Sequence, residues 1–196
     1  SKTRTLFGRT GKPDMYPIIR RESFSDVTFL WEVLAPDVAR SAQPGHFVML
    51  RLHEGGERIP LTVADFDRER GTITMVIQSL GKTTQEMRDH YKAGDSIADF
   101  VGPLGMPQHV SPVGHVVLVG GGLGVAPVYP QLRAFKEAGN RTTGIIGFRN
   151  KDLVFWEEEF GRWCDNLIVC TDDGSYGKPG FVHAALQHVL DTDRPD

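Results

Sequence analysis

Cysteine is scarce in this chain: Cys164 and Cys170 are the two among 196 residues, six positions apart. They form no C-x-x-C pair, so neither a thiolate metal site nor a redox couple has a frame here. An iron–sulfur cluster needs four ligands, usually thiolates, and cannot be built from these cysteines alone. They read first as small core residues, with a redox or metal role the lesser option. Long apolar runs are also missing. Nothing approaches the roughly 20 residues that cross a bilayer, and no signal-peptide pattern is present, so no membrane partner is expected and a cytoplasmic location is the default. Charge of either sign is not in excess: 22 basic against 25 acidic residues give a net charge of −3, with no reason to expect nucleic acid. The seven histidines include no H-E-x-x-H, and His183 and His188 fall five apart, poor spacing for one helical face, so no metal ligand is assigned. Internal repeats and low-complexity tracts are absent.

What is present is an ordinary globular balance, 40% hydrophobic and 24% charged, in a length that allows one domain or two small ones. The first thirteen residues carry Lys2, Arg4, Arg9 and Lys12 and no acid. Transit peptides share that bias, but the segment lacks an apolar face, and residues 1–15 read as a flexible arm.

The chain is organised around Val116 to Pro127, V-V-L-V-G-G-G-L-G-V-A-P. A β-branched run stops at three glycines, and a helix-compatible run follows: strand, turn, helix. Glycines there let a phosphate approach bare amides at the positive end of a helix. Such turns also occur simply to pack a helix close to a sheet, and the motif by itself leaves both readings open.

Before this stretch the pattern is that of short strands. From about Tyr16 the chain looks extended, and Val27, Phe29, Trp31 and Val33 alternate with Thr28, Leu30, Glu32 and Leu34. Further strands are expected over His46–Leu52, Ile59–Ala64, Thr72–Gln78, where Ile73, Met75 and Ile77 share a face, and Ser96–Val101. Regular turn signals between them point to an antiparallel barrel or sandwich. One helix interrupts, Thr83–Lys92, where Thr83 and Glu86 have the form of a capping box. Gly102–His115, rich in proline and glycine, reads as a junction, assigned to residues 106–114. Strands and helices then alternate: strand His115–Val119, helix Val125–Ala138 stopped by Gly139-Asn140, strand Thr142–Phe148, helix Leu153–Trp163, strand Asn166–Thr171, helix Phe181–Leu190. This is a parallel α/β unit of the doubly wound kind, with Pro127 and Pro130 in about the first turn of its first helix. A fourth strand would normally lie beside the first. Its absence before Asp196 would leave Val116–Val119 with an open edge, so the α/β domain is expected to be C-terminally truncated or that edge otherwise covered.

Three further stretches carry possible chemistry. In R-I-P-L-T-V-A-D, residues 58–65, Arg58 and Thr62 fall on one face of a strand, where a guanidinium can grip a pyrophosphate and a hydroxyl can bond a heterocycle edge; an exposed arginine and an ordinary strand threonine fit equally. G-K-T-T, Gly81–Thr84, would complete an ATPase phosphate loop only with glycine at position 76, which is Val76, so what remains is an anion seat at a helix start. D-D-G-S-Y-G, Asp172–Gly177, follows the third α/β strand, where such folds bind ligands, though it is also a turn-former sequence; a calcium loop fails because its twelfth position is His183. Glu157–Glu159 reads as a solvated helix face, with a docking role the lesser option.

R-I-P-L-T, G-K-T-T and G-G-G-L-G-V-A-P in one order resemble the ferredoxin-NADP reductase superfamily. G-H-F-V-M-L at 45–50, D-F-V-G-P-L-G at 99–105, G-F-R-N-K-D at 147–152 and T-D-D-G-S-Y-G at 171–177 narrow the likeness. They resemble the flavin subunits of the dihydroorotate dehydrogenase electron-transfer type and the small subunit of NADH-dependent ferredoxin:NADP oxidoreductase, also called the sulfide dehydrogenase flavin subunit. The resemblance spans about Tyr16 to Leu190. It implies an FAD-binding antiparallel β-barrel over residues 16–105 and an α/β NAD(P)-binding domain over 115–196. By position, Arg58 would contact the FAD phosphates, Pro60 and Leu61 would place the strand, and Thr62 would approach the flavin N5 as the one catalytic candidate. Val76 and Gln78, within the Thr74–Gln78 lining, would face the cofactor, and Gly81, Lys82, Thr83 and Thr84 would cap its pyrophosphate. Gly121, Gly122, Gly124, Val125 and Ala126 would cradle the nicotinamide nucleotide, with Asp172 and Asp173 near its ribose or nicotinamide.

The implied chemistry is hydride transfer between NAD(H) and FAD, after which electrons pass to an iron–sulfur partner or a larger flavoprotein subunit. Arg149 and Lys151 suit the 2′-phosphate of NADPH, whereas Asp152 suits a free ribose hydroxyl; the subfamily likeness favours NAD(H). Family members continue into a further strand and, in this subfamily, a cysteine-rich [2Fe-2S] segment, neither of which this sequence contains. A non-catalytic nucleotide-binding or assembly module is therefore the alternative. A flavin-free dehydrogenase ranks last, for want of a Tyr-x-x-x-Lys pair.

Overall fold

A computed structural model describes residues 15–196, so nearly all of the arm assigned to residues 1–15 lies outside the described residues. The chain divides into two compact units. One comprises residues up to Glu22 with Phe29–Ala42 and His46–Gly105, and the other Ser23–Thr28, Gln43–Gly45 and Met106–Asp196.

The first unit holds β1 (Tyr16–Ser23), β2 (Thr28–Leu34), α1 (Pro36–Ser41), β3 (Phe47–Arg51), β4 (Arg58–Thr62), β5 (Asp65–Asp67), β6 (Thr72–Gln78), α2 (Lys82–His90), β7 (Ser96–Ile97) and β8 (Asp99–Leu104). They form a five-stranded sheet in the order β5-β6-β2-β1-β7 and a three-stranded sheet β4-β3-β8. β3 runs antiparallel to both neighbours, as do β1 to β7 and β5 to β6. Phe29, Trp31, Ile18, Leu50, Ile73, Met75 and Met87 make the centre of the core.

Four sequence expectations change here. The alternation expected along β2 is not a buried and an exposed face, because Leu30 and Glu32 are as covered as Phe29 and Trp31. Glu32 is tolerated inside because its carboxylate is held by Arg20 and Arg70, each at 2.9 Å. Helix α1 is additional; six residues with only Val38 and Ala39 buried leave no periodic signature. The strand expected over Ser96–Val101 breaks at Ala98 into β7 and β8, and β8 runs on to Leu104 by pairing with Phe47 across a bulge. Finally, Thr83 and Glu86 form no capping box. Helix α2 starts one residue earlier, with Gly81 as its N-cap, and Glu86 points to His53, 3.0 Å away.

The second unit is a parallel sheet ordered β12-β11-β10-β9, built from β9 (His115–Gly121), α3 (Val125–Glu137), β10 (Arg141–Phe148), α4 (Glu157–Gly161), β11 (Asn166–Thr171), β12 (Lys178–Pro179) and α5 (Val182–Thr192). Strand β9 stands at one end of that order, and near its start the Asp196 N–H donates to the His115 carbonyl at 3.0 Å. Helix α5 packs Ala185 and Val189 on Ile145 and Cys170. Bare backbone lets the connection after α4 approach the sheet: a Cβ on Gly144 would lie 2.6 Å from Cys164 Sγ.

The helix expected over Leu153–Trp163 shrinks to α4, preceded by a 3-10 turn at Lys151–Leu153. Tertiary packing of aromatics overrides the helical pattern: Phe155 stacks on Phe24 at 5.1 Å, Trp156 lies 4.9 Å from Tyr129, and Trp156 takes φ of 61°. Strand β12 is additional, two residues too short to leave a pattern. Pro130 sits inside α3 rather than in its first turn. Among the described residues, no helix is long and apolar enough to cross a membrane.

Both cysteines are free, Cys170 buried and Cys164 half-buried. Burial pushes the Cys164 thiol up to about 11 and raises Cys170 as well. Below that range the thiol keeps its proton and is a poor nucleophile. In the folded chain both cysteines are therefore expected to resist iodoacetamide at pH 8 and to react after unfolding in guanidinium. Prompt labelling of native Cys164 would contradict this.

Candidate functional site

The period of two along β4 sorts its residues. Ile59 and Leu61 pack against the core, while Arg58, Pro60 and Thr62 share the exposed face. Leu61 thus anchors the strand rather than facing a ligand. On β6, Ile73, Met75 and Ile77 are core residues, and Val76 and Gln78 share the opposite face; Val76 is covered and Gln78 half-open.

At the start of α2 the hydroxyls are already engaged. Thr84 Oγ1 accepts from the Leu80 and Gly81 N–H groups at 3.0 Å each, and Thr83 Oγ1 donates to Glu57 at 2.8 Å. What faces outward is exposed Lys82 and the first-turn backbone. The Glu57–Thr83 bond and the His53–Glu86 pair tie the β3–β4 connection to α2. Arg58, next to Glu57 in the chain, is thereby brought to the same end of this unit as Gly81–Thr84.

In the parallel sheet, register sets Gly121 beside Gly147 and Phe148 beside Thr171, so the loops after β9, β10 and β11 all leave the carboxyl edge together. The glycines of the first loop divide into two kinds. A Cβ on Gly120 would sit 2.9 Å from both the Gly124 carbonyl oxygen and Val125 Cα, so this residue is glycine to let α3 close on β9. A Cβ on Gly121, Gly122 or Gly124 would meet no atom within 4 Å, and Gly122 takes φ of +57°. Val125 and Ala126 bury their side chains and can offer a ligand only backbone.

Arg149 is exposed at the end of β10, and Asp172 and Asp173 are exposed after β11. Asp173 Oδ1 accepts from the Ser175 hydroxyl at 2.6 Å and the Ser175 N–H at 3.0 Å, which hold its carboxyl below the usual carboxylate range. The loop is pinned at several points. Thr171 Oγ1 donates to the Tyr176 carbonyl at 2.6 Å, the Tyr176 hydroxyl donates to Glu157 at 2.6 Å, and the Lys151 N–H donates to Ser175 Oγ at 2.9 Å. Glu157 is therefore part of this rim rather than a purely solvated face.

No protein-family profile matches the chain. Over 173 residues it is 47% identical to a Thermotoga maritima protein named dihydroorotate dehydrogenase B (NAD(+)), electron transfer subunit homolog, across 88% of this chain and 61% of that relative. A Fusobacterium nucleatum dihydroorotate dehydrogenase B (NAD(+)) electron transfer subunit is 35% identical over 168 residues, across 83% of this chain and 64% of the relative. The solved structure of an NADH-dependent reduced ferredoxin-NADP oxidoreductase superposes with a TM-score of 0.85 at 43% identity, covering 93% of this chain and 65% of that one. The chain belongs to the ferredoxin-NADP reductase superfamily. It spans a little over three fifths of the length of these relatives. A ferredoxin reductase of carbazole 1,9a-dioxygenase, 17% identical with a TM-score of 0.76, shares the fold.

In this reductase-family chain, the residues singled out from sequence fall into two groups, one in each unit. Arg58, Pro60, Thr62, Gln78 and Gly81–Thr84 belong to the antiparallel unit, and Gly121–Ala126, Arg149, Asp172 and Asp173 gather on the carboxyl edge of the parallel sheet. Sequence reasoning missed Gly120, Glu57, Arg51 and Asp99. Arg51 and Asp99 meet at 2.7 Å, and Asp99 lies 3.4 Å from Arg58. Gly120 had a signal, its place directly at the end of a β-branched run, but its neighbours are glycines too.

Proposed function

We propose that the chain is a flavoprotein electron-transfer subunit that moves a hydride between NAD(H) and FAD and passes electrons to an iron–sulfur or larger flavoprotein partner. The observation that carries this reading is the open backbone of Gly121, Gly122 and Gly124 beside a packed Gly120, a turn shaped for close approach by a phosphate. The exposed Arg58–Thr62 face is the matching feature in the other unit. Residues 16–105 would close their sheets as a barrel around the flavin side, and residues 115–196 would take the nicotinamide nucleotide. When bound, the flavin supplies hydride acceptance and single-electron release. The protein's own residues bind and orient: Arg58 grips phosphate, Thr62 offers a hydroxyl toward the flavin N5, Lys82 and the start of α2 face the pyrophosphate, and Arg149 and Asp172 flank the nucleotide. The relatives' names, which include NAD(+), support NAD(H) over NADPH. A cytoplasmic location belongs to the same reading.

A visible spectrum of the purified chain after incubation with FAD tests the proposal, and uptake of neither FAD nor FMN would overturn it. Arg58→Ala is expected to weaken FAD binding about ten- to a hundredfold, the value of one charge-assisted phosphate contact. Unchanged retention after dialysis would remove Arg58 from this role.

A further inference from the structure

Cross-strand register in the three-stranded sheet sets Arg58 directly opposite Arg51, and Arg51 directly opposite Asp99. Directly opposed residues of antiparallel strands share a face, and like charges there repel. Asp99 offsets that repulsion, but unequally. Its Oδ2 lies 2.7 Å from Arg51 Nη2, a close ion pair, and 3.4 Å from Arg58 Nη2, a hydrogen bond near the limit of length. The side chains are unequally placed as well, Arg51 being 23% exposed and Arg58 62%. The inner guanidinium is the nearer to the carboxylate, and the outer one, with a single long bond to it, is the more open to solvent.

We infer that Arg51 is a positioning residue for anion binding: it holds Asp99 off Arg58, so that Arg58 can give its donors to a phosphate. The inference rests on the flavin reading above, with the FAD pyrophosphate as the anion. With Arg51 in place the trio carries one net positive charge. Without it, the Asp99 carboxylate turns to Arg58, the pair is neutral, and the donors that a phosphate needs are taken. Glu57, the remaining carboxylate beside Arg58 in the chain, is engaged by the Thr83 hydroxyl.

Affinities of the full chain for FAD and for riboflavin, which has the ring system and no phosphate, test this. Arg51→Gln is expected to weaken FAD about tenfold while riboflavin stays within about twofold, the pattern of a lost phosphate interaction. Arg51→Lys keeps a cation for Asp99 and is expected to hold FAD affinity within about threefold. The double variant Arg51→Gln, Asp99→Asn removes the competing carboxylate and is expected to recover most of the FAD affinity. Equal losses of FAD and riboflavin would make Arg51 merely structural and overturn the inference, as would a double variant no better than Arg51→Gln. If the wild-type chain binds neither flavin, the flavin reading falls first, before any variant is compared.

Discussion

Gly120→Ala is expected to weaken the proposed NADH binding by about a hundredfold or more and to lower the stability of the parallel-sheet unit by about 1–3 kcal/mol, the usual range for overpacking. The added methyl would meet the Gly124 carbonyl oxygen and Val125 Cα, each 2.9 Å away. Both are backbone atoms, so no side chain can swing aside to make room. The start of α3 has to move off β9, and the turn between them carries the open glycines. Gly121→Ala is the control, because its backbone is extended, with φ of −125°, and its methyl meets no protein atom within 4 Å. That variant is expected to melt like the wild type yet bind NADH more weakly, since the methyl projects into the ligand's space. Thermal melts alongside NADH titration separate the two. A Gly120→Ala protein with unaltered melting and binding would refute the packing role.

The second large effect is expected at Asn140. Its side chain is buried and fully used: Oδ1 accepts from the Val113 and Gly114 N–H groups at 2.7 and 3.0 Å, and Nδ2 donates to the Ser111 and Phe135 carbonyls at 3.0 and 2.9 Å. One amide thus fastens the segment leading into β9 to the end of α3. Asn140→Ala takes the partner from the Val113 and Gly114 N–H groups and the Ser111 carbonyl, while the Phe135 carbonyl keeps the Asn140 backbone N–H. The variant is expected to cost about 3–4 kcal/mol, a fall in melting temperature of roughly 6–16 °C for a protein of this size. Asn140→Asp keeps the acceptor but turns a carboxylate oxygen toward two carbonyls. Its stability should therefore improve as pH falls and the carboxyl gains a proton. A melting temperature within about 2 °C of wild type for the alanine variant would contradict this account.

Much of this was legible in the chain because the signals were local. A β-branched run ending in glycines announces β9 and α3, and a period of two puts Arg58 and Thr62 on one face. Failures came where distant groups decide. The helical pattern of Leu153–Trp163 yields to a stack between Phe155 and Phe24, far upstream. Glu86 has the right spacing to cap from Thr83, yet His53 draws it away. Arg51 and Asp99 have no local pattern to betray them; strand pairing across 41 residues brings Asp99 to Arg58. Gly120 and Gly121 are identical in sequence, and only the approach of α3 tells a packing glycine from an open one.

The loop after β11 is fastened by its own residues before any ligand arrives, through Asp173 to Ser175, Tyr176 to Glu157 and Ser175 to Lys151. A nucleotide reaching this rim therefore does not have to freeze a wandering segment. Little ordering entropy is lost on association, and binding energy stays in the contacts themselves. On the proposed reading, such a rim would favour quick turnover of a carrier that comes and goes with each reducing equivalent.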